Sequence, residues 1–126
     1  WDRLYRMNLR TAVVSCKQAL PMLLERGRGR IVNIGAGAAA ARAAAGMGAY
    51  TASKAGVQKL TESLADEVKD RGITVNAILP GTIDTPRNRS DMPDADFSRW
   101  VTPESIADVV LFLASGSAEA VTAATR

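Results

Sequence analysis

Tyr50-Thr51-Ala52-Ser53-Lys54 lies between two strand-like runs, Arg30-Ile31-Val32-Asn33-Ile34 and Ile73-Thr74-Val75-Asn76-Ala77-Ile78-Leu79. Short β-branched runs on either side of a long stretch with helical periodicity read as strand, helix, strand. Such alternation implies a parallel sheet covered by helices. On the intervening helix, residues four apart share a face, so Tyr50 and Lys54 point into one site. A neighbouring cation favours phenolate over phenol and lowers a tyrosine from its reference pKa of about 10. A phenol tuned in this way exchanges protons near neutral pH.

The flanking segments extend the pattern. Residues 2–26 read as a helix with Leu9, Val13, Cys16, Leu20 and Leu23 on its apolar face and a kink expected at Pro21. Gly27 to Gly29 make a turn into a buried strand over 30–34. Residues 35–47 are Gly and Ala with one Arg and one Met, and helix and loop both stay open for them. A second helix spans 48–71, with Val57, Leu60, Leu64 and Val68 toward the core and Gly72 as its stop. A second buried strand covers 73–79, and residues 80–101, with three prolines, read as a long polar loop. Thr102 caps a last helix with Pro103 at its first position and Ile106, Val109, Val110 and Leu113 facing inward. The tail from 116 is small and polar.

Composition bounds the chemistry. A chain of 126 residues is one domain at most. Its 47% apolar and 23% charged residues suit a globular protein. No run approaches the roughly 18 apolar residues of a membrane span, and no segment reads as a secretory signal. Cys16 is the single cysteine, which excludes an internal disulfide and a cysteine metal cluster and favours a reducing, cytoplasmic setting. Histidine is absent, which removes His-based triads and the usual zinc sites, so no metal is expected. Acid–base work falls to Tyr, Lys, Asp or Glu. The net charge of +3 comes from dispersed arginines, and only two each of Trp, Tyr and Phe are present, so nucleic acid is not an expected partner.

Gly35-Ala36-Gly37-Ala38-Ala39-Ala40 fits a loose dinucleotide fingerprint, G-x-G-x-x-G/A. That motif needs a helix directly after it and an acidic residue on a strand about 20 positions on. Gly46 and Gly48 interrupt such a helix, and the next strand begins only at Ile73, so the stretch reads as a small-residue loop. Two strands do not make a stable sheet of this class. The chain therefore reads as part of a larger α/β domain, or as dependent on a partner.

Taken together, these residues resemble the C-terminal half of a short-chain dehydrogenase/reductase over nearly the whole chain. Asn8, the strand 30–34, the Tyr50–Lys54 pair, Asn76 and Pro80-Gly81-Thr82-Ile83-Asp84-Thr85 match in order. The resemblance implies a Rossmann-like, doubly wound parallel sheet of which residues 1–126 form the C-terminal portion. The glycine-rich nucleotide-binding half and the last strand would be lacking, so the chain alone is expected to be inactive. It implies NAD or NADP as cofactor and hydride transfer with Tyr50 as general acid. Lys54 would hydrogen-bond the nicotinamide ribose and tune Tyr50, and Asn8 would support a proton-resupplying water chain. The Pro80-Gly81 loop would lie along the nicotinamide, and Ile83 backbone groups and the Thr85 hydroxyl would hold its carboxamide or the pyrophosphate. It also implies a homodimer or homotetramer built on the first two helices.

The family's usual active-site serine is missing: Ala36 or Gly37 stands in its place, beside the substrate, and neither has a side-chain donor. Losing one such donor typically costs about 2.7–4 kcal/mol of transition-state stabilisation. The loop from Asp84 to Trp100 resembles that of dihydropteridine reductases, which also carry Ala there. A quinonoid pterin is already activated and could spare the serine, with Phe97 and Trp100 covering its ring. A ketoreductase of the 3-oxoacyl-carrier-protein type is the alternative, and a non-catalytic oligomerisation module is a third reading.

Overall fold

A computed structural model describes residues 1–37 and 44–123; the expectations for 38–43 and for the last three residues lie outside them. Helix α1 begins as Asp2–Leu4, passes through a π-helical turn at Tyr5–Arg10 and continues as α-helix over Thr11–Arg26. Pro21 sits inside the last segment without ending it, so the departure from α geometry lies at Tyr5–Arg10 and not at the proline. Gly27 closes the helix with φ 66°, a left-handed cap that glycine adopts at little cost. Strand β1 is Gly29–Ile34, helix α2 is Gly48–Val68 and strand β2 is Ile73–Ile78.

The two strands are parallel, with Gly29 opposite Ile73 and Ile34 opposite Ile78. The sequence reading expected two buried strands. All six residues of β2 are buried, whereas β1 is only half-buried. β1 pairs with β2 along one edge, and among the described residues no strand covers the other. The far edge of β2 is covered by the tail: Val75 N–H donates to Thr122 Oγ1 at 3.1 Å, and Ala123 N–H donates to the Val75 carbonyl at 2.9 Å. Asn76 Nδ2 reaches the Val121 carbonyl at 2.8 Å. The small, polar tail is therefore part of the packed structure, with Ala118 fully buried.

Side chains alternate between the two faces of the sheet. Ile31, Ile73 and Val75 pack with Cys16, Leu64, Ala65 and Val68 of α1 and α2. Val32 and Ile78 pack on the other face against Ile106, Val110 and Leu113 of the last helix, Pro103–Ala114. Val13 and Val109, both expected inside, are 39% and 44% exposed. In α1 the stripe toward the sheet runs through Cys16, Leu20, Leu23 and Leu24.

A polar link crosses the α1/α2 side. Asn33 Nδ2 donates to Thr61 Oγ1 at 2.9 Å, and that hydroxyl donates to the Val57 carbonyl at 2.8 Å. Thr61 is fully buried. Burial pushes the nearby Cys16 thiol up, against a weaker pull from its contact with Asn33. Thr61→Val keeps the shape but strands the Asn33 amide. It should cost about 1–3 kcal/mol in urea denaturation of the full-length protein; a change within 0.5 kcal/mol (about the scatter of neutral surface substitutions) would refute the link.

Residues 80–101 are not an unstructured loop. They contain helix α3, Pro86–Asp91, a 3₁₀ turn at Phe97–Arg99 and a bridge pairing Ile83 with Val101. The helix after them, Pro103–Ala114, is α4, and Thr102 Oγ1 caps it by accepting from Ser105 N–H. No helix among the described residues is long and apolar enough to cross a membrane.

Candidate active site

Both strands end at the same level, and the chain turns there without room for side chains. Gly35 N–H donates to the Ile78 carbonyl and Gly37 N–H to the Pro80 carbonyl, each at 2.8 Å. A Cβ on Gly35 would overlap Leu79 Cδ2, and one on Gly37 would stand 3.0 Å from the Leu79 carbonyl oxygen. These close backbone contacts bring Ala36 beside Pro80 and Gly81 on one wall of a cleft of about 600 Å³. The first turns of α2 supply the facing wall with Tyr50 and Lys54. Lys54 Nζ donates to the Ile34 carbonyl at 3.2 Å, which fixes the ammonium at the end of β1. Burial lowers the Lys54 pKa from its ordinary value, because desolvation disfavours the charged form.

Of the residues singled out from the sequence, Tyr50, Lys54, Ala36, Pro80, Gly81 and Ile83 line this cleft. Asn8 does not. It sits in the π-helical turn and borders a second cavity of about 380 Å³, whose wall Lys54 shares. Asn8 Nδ2 donates to Ser53 Oγ at 3.0 Å, and Ser53 Oγ donates to the Tyr50 carbonyl at 2.8 Å. Asn8 thus reaches the Tyr50 backbone through Ser53, a 4% exposed side chain that the sequence reading passed over.

Four residues expected at the site do not line this cleft. Gly37 lies behind Pro80 and is not among the cleft-lining residues. The Thr85 oxygen accepts from Asn88 N–H at 3.1 Å as the cap of α3, and Thr85 does not line the cleft either. Phe97 and Trp100 turn toward each other, with centroids 4.7 Å apart. The Arg89 guanidinium lies 4.6 Å over the Phe97 ring, and Trp100 borders a separate hollow with Asp96 and Arg99. Cation–π and aromatic contacts of this kind favour one ordered cluster, and neither ring is among the residues that line the cleft.

Thr82, Asn88, Met47 and Met92 line the cleft in their place. Asn88 Nδ2 donates to the Ile83 carbonyl at 2.8 Å, which ties α3 to the cleft wall. Arg89 holds Asp84 through two bonds of 2.6 and 2.8 Å and keeps its carboxyl below the usual carboxylate range. Thr85-Pro86 carries the same cap-and-proline pattern as Thr102-Pro103 and was the available signal for α3.

The arrangement joins a phenol, a cation and a wall of small residues and backbone at the carboxyl ends of parallel strands. Open α/β sheets bind their ligands in that position. A family model described as short chain dehydrogenase matches residues 1–96. The D-beta-hydroxybutyrate dehydrogenase of Rhizobium meliloti is 35% identical over 111 residues, covering 88% of this chain and 43% of that protein. A 3-oxoacyl-acyl-carrier-protein reductase of Pseudomonas aeruginosa is 40% identical over 134 residues, covering 99% and 53%. A structure described as an NAD(P) dependent gluconate 5-dehydrogenase from Beutenbergia cavernae, with NADP bound at low occupancy, superposes with a TM-score of 0.87 at 32% identity. It covers 96% of this chain and 52% of that one. The chain spans about half the length of the curated relatives it matches.

Proposed function

This chain belongs to the short-chain dehydrogenase family, and on that premise we propose that it is the catalytic half of an NAD(P)-dependent oxidoreductase acting on a small carbonyl or imine. The observation that carries the reading is the convergence of Tyr50, Lys54, Pro80, Gly81 and Ile83 on one cleft. The residues fit the nicotinamide end of such a cofactor: Gly81 has open space where a Cβ would stand, and the Lys54 ammonium is held at the cleft by the Ile34 carbonyl. When bound, the cofactor supplies or accepts the hydride. Tyr50 donates its phenolic proton to the oxygen or nitrogen that gains negative charge. Lys54 keeps a positive charge beside that phenol and orients the ribose. Asn8 and Ser53 steady the first turn of α2, and the Met47 and Met92 side chains narrow the access of water. The nucleotide's adenosine end would be held by a glycine-rich half outside residues 1–126. Exposed Met7, Val13 and Val14 on α1 support a homodimer or homotetramer formed through that helix.

The test is consumption of NADH and NADPH by the full-length protein with a panel of ketones, 3-oxoacyl thioesters and quinonoid dihydropterin. Turnover of one class supports the reading. No turnover, together with no binding of either nucleotide, would sink it.

Ala36 favours the quinonoid pterin as the finer substrate proposal. It is 8% exposed on the cleft wall and brings no side-chain donor to a carbonyl, which an already activated ring needs least. Ala36→Ser should raise kcat/KM on a simple ketone about tenfold or more and change the pterin rate little. A large gain on the pterin would rule that substrate out.

A further inference from the structure

A cavity of about 310 Å³ lies at the opposite end of β1 from Tyr50, lined by Arg26, Arg28 and Arg30 with Leu23, Gly29 and the end of α4. The six residues of β1 separate it from the cleft by about 16 Å at 3.3 Å per residue. We propose that this cavity is a binding site for a small phosphate-bearing anion, distinct from the reaction centre.

Three arginines line one hollow. Among the described residues none of the three forms an ion pair. This contrasts with Arg89, which is clamped to Asp84. Arg30 is anchored from behind: its Nη1 donates to the Gly29 carbonyl at 2.9 Å and approaches the Gly72 carbonyl at 3.5 Å. Its Nε is buried and has no hydrogen-bond partner among the described residues. A buried donor without an acceptor is costly, and an oxyanion in the cavity would offset the positive charge of the arginines that line it. A phosphate brings nearly two negative charges and three strong acceptor oxygens, and guanidinium forks bind it in bidentate fashion. A single carboxylate would leave at least one arginine unmatched.

The test is isothermal titration of the full-length protein with inorganic phosphate and with phenyl phosphate, at ionic strength matched by sodium chloride. Saturable binding is expected, and Arg28→Gln, an exposed position, should weaken it about tenfold or more. Arg87→Gln, in the α3 region, should leave it unchanged. Tighter binding of phenyl phosphate would identify a phosphate ester as the ligand, and equal or weaker binding would identify free phosphate; either supports the site. Equal losses in the two variants, or no heat beyond that of sodium chloride, would overturn it. Binding of polyglutamate without any response to either phosphate would also overturn it, in favour of an acidic protein surface.

Discussion

Tyr50→Phe in the full-length protein should lower kcat/KM by about 10²–10⁴-fold and leave thermal stability and nucleotide affinity nearly unchanged. The phenolic oxygen is the group lost, while the ring, the Ser53 bond to the Tyr50 carbonyl and the Lys54 contact with Ile34 all remain. Steady-state kinetics on whichever substrate turns over, with a melting curve as the folding control, checks it. A loss of less than about tenfold would remove Tyr50 from the acid role. A variant indistinguishable from the parent in every assay, combined with loss of assembly in Val14→Asp on the exposed face of α1, would instead favour a chain that serves as a scaffold.

The largest expected stability effect is at Gly72, far from the cleft. Gly72 adopts φ +71°, and a Cβ there would overlap the carbonyl oxygen of Gly27. Left-handed strain of about 1–3 kcal/mol adds to overpacking of about 1–3 kcal/mol. Gly72→Ala should therefore destabilise the fold by about 2–6 kcal/mol, by the same combination. Gly27 is the internal control. It has nearly the same dihedral, φ +66°, but nothing within 4 Å of its Cβ position. Gly27→Ala should cost only the left-handed penalty of about 1–3 kcal/mol. Urea denaturation of both variants, read from midpoints at equal slope, separates the two contributions. Equal losses at the two sites would mean that the turn Gly27–Gly29 gives way to the new methyl group.

The sequence reading went furthest where the governing interactions are short in range. Helix and strand follow from local periodicity, and the segments found at Gly48–Val68 and Ile73–Ile78 lie within two or three residues of the expected bounds. Tyr50 and Lys54 share a face because one helical turn separates them, whatever packs around the helix. Pro80, Gly81 and Ala36 reach the cleft because they directly follow strands whose ends are level.

It went less far where contacts are distant along the chain. A proline in a helix suggests a kink, yet the irregular turn formed around Asn8, which bonds to Ser53, 45 positions away. Val13 and Val109 satisfy the periodicity of an apolar face, but that periodicity leaves the angle of the face uncertain by a residue. The docking of α1 on Ile31, Ile73 and Val75, and of α4 on Val32 and Ile78, settled it. Phe97 and Trp100 have the right chemistry to cover a planar ligand, and only the fold sets them against each other with Arg89, held by Asp84, over the Phe97 ring.

By itself the sequence determined the alternation of helix and strand, the parallel pairing this implies, and the phenol and ammonium on one helical face. Each rests on spacing within a few residues. Tertiary structure alone decided which side chains complete the cleft, that the tail covers the edge of β2, and that three arginines converge on one hollow. Those outcomes depend on where separate elements come to rest against one another, and no local periodicity encodes that position.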